Sequence, residues 1–247
     1  MMSHVNFLLP LAVTVVAFLY ASVGHGGASG YLALLSFFSV APSEMGTSAL
    51  LLNCLVSGTA FLFFLRAGHF SFQLTWPFLV ASMPAAWVGG ALPISALFYK
   101  VLLAATLAFT AFRLLLPVPE KRFPQQPQVP PLRIALPVGG GIGFLSGMVG
   151  IGGGIFLSPL LLLKGWASPR KTAAASSLFI LANSVVGLVG RTVGGTFKLG
   201  NILPLVGVAF LGGLAGSYLG ANHFSGATFR RLLAVILGVA VVKLIVP

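Results

Sequence analysis

Polar side chains suited to holding an anion lie in and beside two glycine-rich stretches of an otherwise apolar chain. The first stretch reads GHGGASG at residues 24–30, and the second reads GIGGG at residues 150–154. Glycine lets the backbone reverse direction, and without a Cβ it lets a ligand approach the backbone N–H groups. We therefore expect both stretches to contact substrate, through His25, Gly26, Gly27 and Ser29 in the first and through Gly152, Gly153 and Gly154 in the second.

The side chains of the first stretch each have a structural interpretation beside the functional one. His25 can donate a hydrogen bond to an anion when neutral or protonated, or it can be bonded to a backbone carbonyl. Ser29 begins the short segment after the glycines, so it either contacts the anion or caps a helix.

Two hydroxyl pairs and two amides follow the glycine stretches and are further candidates for substrate contact. The pairs Thr47–Ser48 and Ser176–Ser177 stand at the predicted starts of membrane-spanning helices, where they either cap the helix or bind the anion. Asn53 and Asn183 lie deeper, at mid-helix, where a polar amide in lipid must face the protein interior. There they either join helices or bind substrate.

The composition of the chain is that of a polytopic membrane protein. Hydrophobic residues make up 57% of 247 residues and charged residues only 6%, whereas soluble domains are about one-quarter charged. Long apolar runs follow one another along the chain, and a helical crossing needs about 20 apolar residues. The runs lack the strict alternation of barrel strands, so we expect all-α transmembrane structure.

The formal charge of +12 does not indicate a nucleic-acid protein. It comes from 14 basic residues against two acids, and the basic residues are scattered over loops rather than clustered with aromatic residues. Positive loop charge orients membrane proteins. We expect a small anionic substrate and the lipid bilayer as partners, no nucleic acid, no cofactor and no metal. The oligomeric state is left open, a homo-oligomer included.

The chain contains two similar halves. The segment SVGHGGASGYLALL at 22–35 matches MVGIGGGIFLSPLL at 148–161, and two further matches follow in the same order. Residues 117–133 between the halves are rich in Pro and Gln, which is typical of an extended linker. We therefore divide the chain into a first repeat (1–116), a cytoplasmic linker (117–133) and a second repeat (134–247).

Each repeat is expected to begin with a helical hairpin that turns inside the membrane. The limb after the first glycine stretch, residues 28–40, is only about 20 Å long at 1.5 Å per residue, too short for a hydrocarbon core of about 30 Å. Residues 155–164 form an even shorter limb in the second repeat. Three long apolar segments follow each hairpin.

Loop charges favour this hairpin arrangement and predict an orientation. With both termini in the periplasm, only Lys100, Arg191, Lys198 and Lys243 of the 14 basic residues lie outside. Each repeat then has an odd number of full crossings, so the two repeats have inverted orientations, as in many secondary transporters. At its outer position, Arg191 is interpreted as a surface residue in preference to a gate that attracts anions.

The doubled motifs GHGGASGY and GIGGGIFLSPLL, each followed by a Thr-Ser or Ser-Ser pair, resemble the sulfite exporter TauE/SafE family, also known as the toluene sulfonate uptake permeases. The resemblance covers about residues 5–245. It implies transport of small sulfur-containing anions, such as sulfite, sulfonates or sulfoacetate, across the bacterial inner membrane. His25 stands where the family often has an apolar residue.

The residues themselves also favour an anion as the substrate. Each glycine turn begins a short helix, and a helix N-terminus offers unpaired N–H groups and about half a positive charge. An anion channel built on the same turns is the alternative. An intramembrane serine protease, with Ser29 in a G-x-S-G string and His69 or His223 as base, is a weaker one because Ile155 replaces Ser29 in the second repeat.

Overall fold

The computed structural model describes residues 2–115 and 127–222, together with residue 242. The described residues are helical and contain no strand. The helices are α1 (Met2–Ala21), α2 (Ala28–Phe37), α3 (Pro42–Arg66), α4 (Phe72–Ala91), α5 (Ala96–Leu115), α6 (Leu132–Val149), α7 (Gly154–Leu163), α8 (Pro169–Val193) and α9 (Leu203–Asn222). Most of the linker and nearly all of 223–247 lie outside the described residues.

Four of the described helices are long and apolar enough to cross a membrane: α3, α6, α8 and α9. Shorter apolar stretches occur within α1 and α5 and make up α2 and α7. Large apolar side chains such as Leu62, Val189 and Leu211 are at least half exposed on the surface of the bundle, where lipid would cover them. The prediction of an all-helical, multi-pass membrane protein is confirmed.

The order and lengths of the helices repeat along the chain. α2 and α7 have 10 residues each, α3 and α8 have 25, and α4 and α9 have 20. Each short helix follows a glycine turn, as the sequence predicts. The inverted orientation of the two repeats stays a prediction.

The two halves are intertwined rather than side by side. α6 packs against α4, α1 packs against α9, and α3 packs against α8. Glycines permit the close approach: a Cβ at Gly143 of α6 would overlap the carbonyl of Ser82 in α4, and one at Gly216 of α9 would overlap the carbonyl of Phe18 in α1. Small residues at such contacts let membrane helices pack backbone against backbone.

Candidate substrate site

The first glycine turn connects α1 to α2 inside the bundle. Its backbone has positive φ at Gly24 (75°) and Gly27 (95°), a conformation that residues with a Cβ rarely adopt. A Cβ at Gly24 would also collide with Ala173 of α8. Conformation and packing thus both require glycine at this position.

The second turn connects α6 to α7 and has the same form. Gly150, Gly152 and Gly153 all have positive φ, and Gly150 lies against Gly46 of α3 as Gly24 lies against Ala173 of α8. Gly46 and Ala173 are each the fifth residue of a 25-residue helix. Equivalent positions of α3 and α8 therefore support the two turns.

Asn53 of α3 joins the two turns. Its Oδ1 accepts a hydrogen bond from the backbone N–H of Ala28 at 3.0 Å, at the start of α2. Its Nδ2 donates to the carbonyl of Ile151 in the second turn at 3.1 Å and lies 3.4 Å from Ser184 Oγ. Asn53 is fully buried, and of its two sequence interpretations the structure shows joining of elements.

Ile180 of α8 is the counterpart of Asn53, since each is the twelfth residue of its helix. Ile180 lies against Gly26 in the first turn and against Gly152 and Gly154 in the second. The turns thus meet around one polar and one apolar side chain at equivalent positions.

Backbone N–H groups at both turns are buried and unpaired. Within the described residues, the N–H groups of Gly26 and Gly27 donate no hydrogen bond, and neither do those of Gly152, Gly153 and Gly154. Ala28 is the exception because it donates to Asn53. The first N–H groups of any helix lack helical acceptors, and such groups together with the helix dipole form an anion site.

His25 links the first turn to the second repeat. Its Nδ1 lies 3.1 Å from the carbonyl of Val23, and its Nε2 lies 3.0 Å from Ser158 Oγ in α7. Ser158 Oγ lies in turn 2.7 Å from Ser176 Oγ in α8. A carbonyl only accepts, so the contact with Val23 requires the proton on Nδ1; in that neutral tautomer Nε2 accepts from Ser158 and Ser158 accepts from Ser176.

Ser158 is a residue of this network that the sequence reasoning missed. It lies in the motif FLSPLL of the second repeat, within a run of apolar residues. A lone serine in an apolar helix beside the glycine turn indicates a buried hydrogen bond, because such a hydroxyl must find a partner inside the bundle.

Ser29 is not a helix cap. α2 has Gly27 at its N-cap position, and the hydroxyl of Ser29 is paired with Tyr20 Oη at 2.8 Å. Tyr31 is a further residue that the sequence did not indicate as a candidate. Its hydroxyl has no hydrogen-bond partner and lies beside Gly27, 2.7 Å from the position that a Cβ would take. At the first turn, the hydroxyl of Tyr31 is therefore buried without a partner, whereas that of Ser29 is paired.

The hydroxyl pairs are not caps either. α3 begins at Pro42 and α8 at Pro169, so both pairs lie more than one turn inside their helices. Thr47 and Ser48 are fully buried without hydrogen-bond partners. Ser176 is bound to Ser158, and Ser177 donates to its own helix, to the carbonyl of Ala174 at 2.9 Å.

Asn183 is fully buried, and neither its amide oxygen nor its amide nitrogen has a hydrogen-bond partner. Leaving such a group unpaired in the interior costs roughly 1–3 kcal/mol. Asn183 does not join helices as Asn53 does, so the two asparagines play different parts in the fold.

Arg191 is buried, and the prediction of a surface position is wrong. Only 7% of its surface is exposed, and its Nη2 donates to the carbonyls of Gly147 at 2.9 Å and Met148 at 2.8 Å. Both carbonyls belong to the last turn of α6, where the helix dipole is negative. No local pattern indicates these partners, because they lie more than 40 residues away along the chain.

The described residues do not pair Ser29 with a histidine. His25 is bonded to Ser158, and His69 packs against the ring of Phe64. His223 lies outside the described residues. Within the described residues, the hydroxyl of Ser29 is therefore paired with Tyr20 and not with a histidine.

Together these features define a multi-pass helical membrane protein with two buried glycine turns at the contact between its halves. The model of the sulfite exporter TauE/SafE family matches residues 9–244, and the chain belongs to that family.

Similar curated proteins carry transporter names. The chain is 35% identical over 241 residues to the probable membrane transporter protein y4hK of Sinorhizobium fredii, covering 96% of this chain and 97% of that protein. It is 38% identical over 77 residues to the probable membrane transporter protein YunE of Bacillus subtilis, covering 31% and 28%. No solved structure matches the chain significantly. Family and relatives support a membrane transporter.

Proposed function

We propose that this protein is a secondary transporter that moves small sulfur-containing anions, such as sulfite, sulfonates or sulfoacetate, across the bacterial inner membrane. The anion binds near the midplane, between the two glycine turns. The residues assigned to it are His25, Gly26, Gly27, Ser29, Thr47, Ser48, Asn53, Gly152, Gly153, Gly154, Ser176, Ser177 and Asn183. Of these, Ser29 and Asn53 act through the groups they hold in place.

One observation carries the proposal: two helix N-termini with buried, unpaired N–H groups meet around Asn53 and Ile180. Their dipoles add where the turns meet, and a sulfite or sulfonate group has three oxygens to accept the donated bonds. A cation at the same place would face two positive helix ends.

The charges of the chain agree with an anionic substrate. There is no Asp, and Glu44 and Glu120 are the two acids of 247 residues. Glu44 lies in the first turn of α3, with its carboxylate beside Gly200. The family is named for sulfite export, which supports sulfur oxyanions as the substrate class.

The repeats are proposed to have inverted orientations, with residues 1–116 and 134–247 as the two units and 117–133 as a cytoplasmic linker. Both termini would then lie in the periplasm. Two inverted repeats that bind a ligand at their interface can expose it alternately to each side.

Ligand binding tests the substrate class directly. Thermal-shift measurements on purified protein with sulfite, sulfoacetate, taurine, sulfate and acetate should show stabilisation by one or more sulfur oxyanions and none by acetate. Binding to the folded state adds about 2.7 kcal/mol at a hundredfold excess over the dissociation constant. Stabilisation by none of the anions would contradict the proposal.

Flux separates a carrier from the alternative, an anion channel. In proteoliposomes, a carrier should show saturable uptake that accelerates when the same anion is present on the opposite side. Flux that rises linearly with concentration and shows no such exchange would favour a channel.

A further inference from the structure

The 25-residue helices α3 and α8 carry different residues at the same position near their ends. Arg191 and Phe64 are each the third residue from the end of the helix. The loops that follow have the same form, since His69 N–H donates to the carbonyl of Phe64 at 3.0 Å and Thr196 N–H to that of Arg191 at 2.9 Å. Helix length and loop hydrogen bonding therefore both show that Arg191 and Phe64 occupy equivalent positions.

The two residues also occupy equivalent surroundings. The Nη2 atom of Arg191 lies 2.6 Å from the position that a Cβ of Gly46 would take, at the start of α3. Phe64 packs in one cluster with Ala173 at the start of α8. We call the end of the bundle that holds Arg191 the arginine end and the end that holds Phe64 the phenylalanine end.

Among the residues that the structure describes, no acid neutralises the charge of Arg191. Arg191 forms no ion pair within the described residues, and its Nε has no hydrogen-bond partner. The last carbonyls of α6 accept from Nη2 but offer only about half a negative charge. An ionised group buried in a membrane protein is costly and is by default a functional candidate.

Arg191 lies between one end of the bundle and the meeting point of the turns. Gly46 touches Arg191, and Asn53 holds the turns seven residues farther along α3, which is about 10 Å at 1.5 Å per residue. An anion that enters at the arginine end meets this guanidinium before it reaches the unpaired N–H groups beside Asn53 and Ile180. One that enters at the phenylalanine end meets an aromatic ring.

We propose that Arg191 is an anion-recognition residue that serves the arginine end alone, so that this transporter binds its substrate with different affinity from its two sides. This inference rests on the proposed function. The ligand is a small oxyanion that accepts hydrogen bonds from the guanidinium. When the anion binds, the guanidinium gives up its hydrogen bonds to the α6 carbonyls.

The test measures flux of sulfite and sulfoacetate in right-side-out and inside-out vesicles. Arg191→Gln should raise KM at least tenfold from the arginine end and change it less than about twofold from the other end. Arg191→Lys, which keeps the charge, should raise KM by no more than about threefold. Phe64→Leu is the matched control and should leave KM at the arginine end unchanged.

Gly46→Ala provides a second route should Arg191→Gln fail to fold. The added methyl group would push the guanidinium aside without replacing the arginine itself. KM should therefore rise for substrate that enters at the arginine end. Equal KM changes from both ends, an effect on maximal rate alone, or an unchanged KM in Gly46→Ala would overturn the inference. If wild-type vesicles carry none of the anions, the proposed function fails and this inference with it.

Discussion

Asn53 of α3 donates a hydrogen bond of 3.1 Å to the carbonyl of Ile151, 98 residues later in the chain, and so fixes the second glycine turn from the first repeat. The same amide accepts from the N–H of Ala28 in the first turn. One buried side chain thereby holds both turns of the candidate site, and its removal should destabilise both turns.

Replacement of Asn53 by Ala should destabilise the protein by about 1–3 kcal/mol, because it leaves Ala28 N–H and Ile151 O buried without a partner. Asn183→Ala is the matched control: it removes an amide of equal burial with no hydrogen bonds, and its stability should fall less. Thermal unfolding in detergent measures both variants. Equal losses would contradict the role assigned to Asn53.

Substitution of Gly26 by Ala should reduce transport at least tenfold while the protein still inserts. A Cβ at Gly26 would overlap Asn53 Oδ1 and stand where substrate approaches the backbone. Gly141→Ala is the control because a Cβ there meets nothing within 4 Å. Flux into proteoliposomes decides the matter, and near-normal transport by Gly26→Ala would remove the first turn from the mechanism.

His25 should tune affinity without being essential. Its place in the second repeat is taken by Ile151, so the architecture does not require an imidazole. His25→Ala should raise KM about ten- to a hundredfold, the effect of losing about 1–3 kcal/mol of binding, and His25→Gln should raise it less.

Ser158→Ala breaks the same hydrogen-bonded chain from its other side and should raise KM in the same direction as His25→Ala. Maximal rates of all three variants should stay within a few-fold of wild type at saturating sulfite. A folded His25→Gln protein with no flux would show that His25 carries a proton or forms an essential gate.

Cysteine labelling should locate the ends of the bundle. Lys198→Cys, in the loop after α8, should react with an impermeant maleimide in intact cells, whereas Lys164→Cys, in the loop after α7, should react only after the membrane is opened. Both side chains are exposed. The half-buried Cys54 is first replaced by Ala to remove background. The reverse pattern would overturn the predicted orientation.

The sequence by itself determined the helical class, the two turns and the starts of the short helices. Apolar runs of this length fold as helices in lipid because the backbone must satisfy its own hydrogen bonds there. Glycine clusters mark where the helices break, and α2 and α7 begin at Ala28 and Gly154, within a residue of the predicted points. These features depend on neighbours along the chain.

Only the tertiary structure decided what the polar side chains do. Sequence matching suggests that Asn53 and Asn183 are alike, yet position in the helices pairs Asn53 with Ile180 and leaves Asn183 without a partner. A basic residue in the last turn of a helix, such as Arg191, is typical of the protein surface, but Arg191 is buried against α6. Burial and hydrogen bonding depend on partners 25 to 133 residues distant, and which groups those are is settled by packing of α3, α6, α7 and α8.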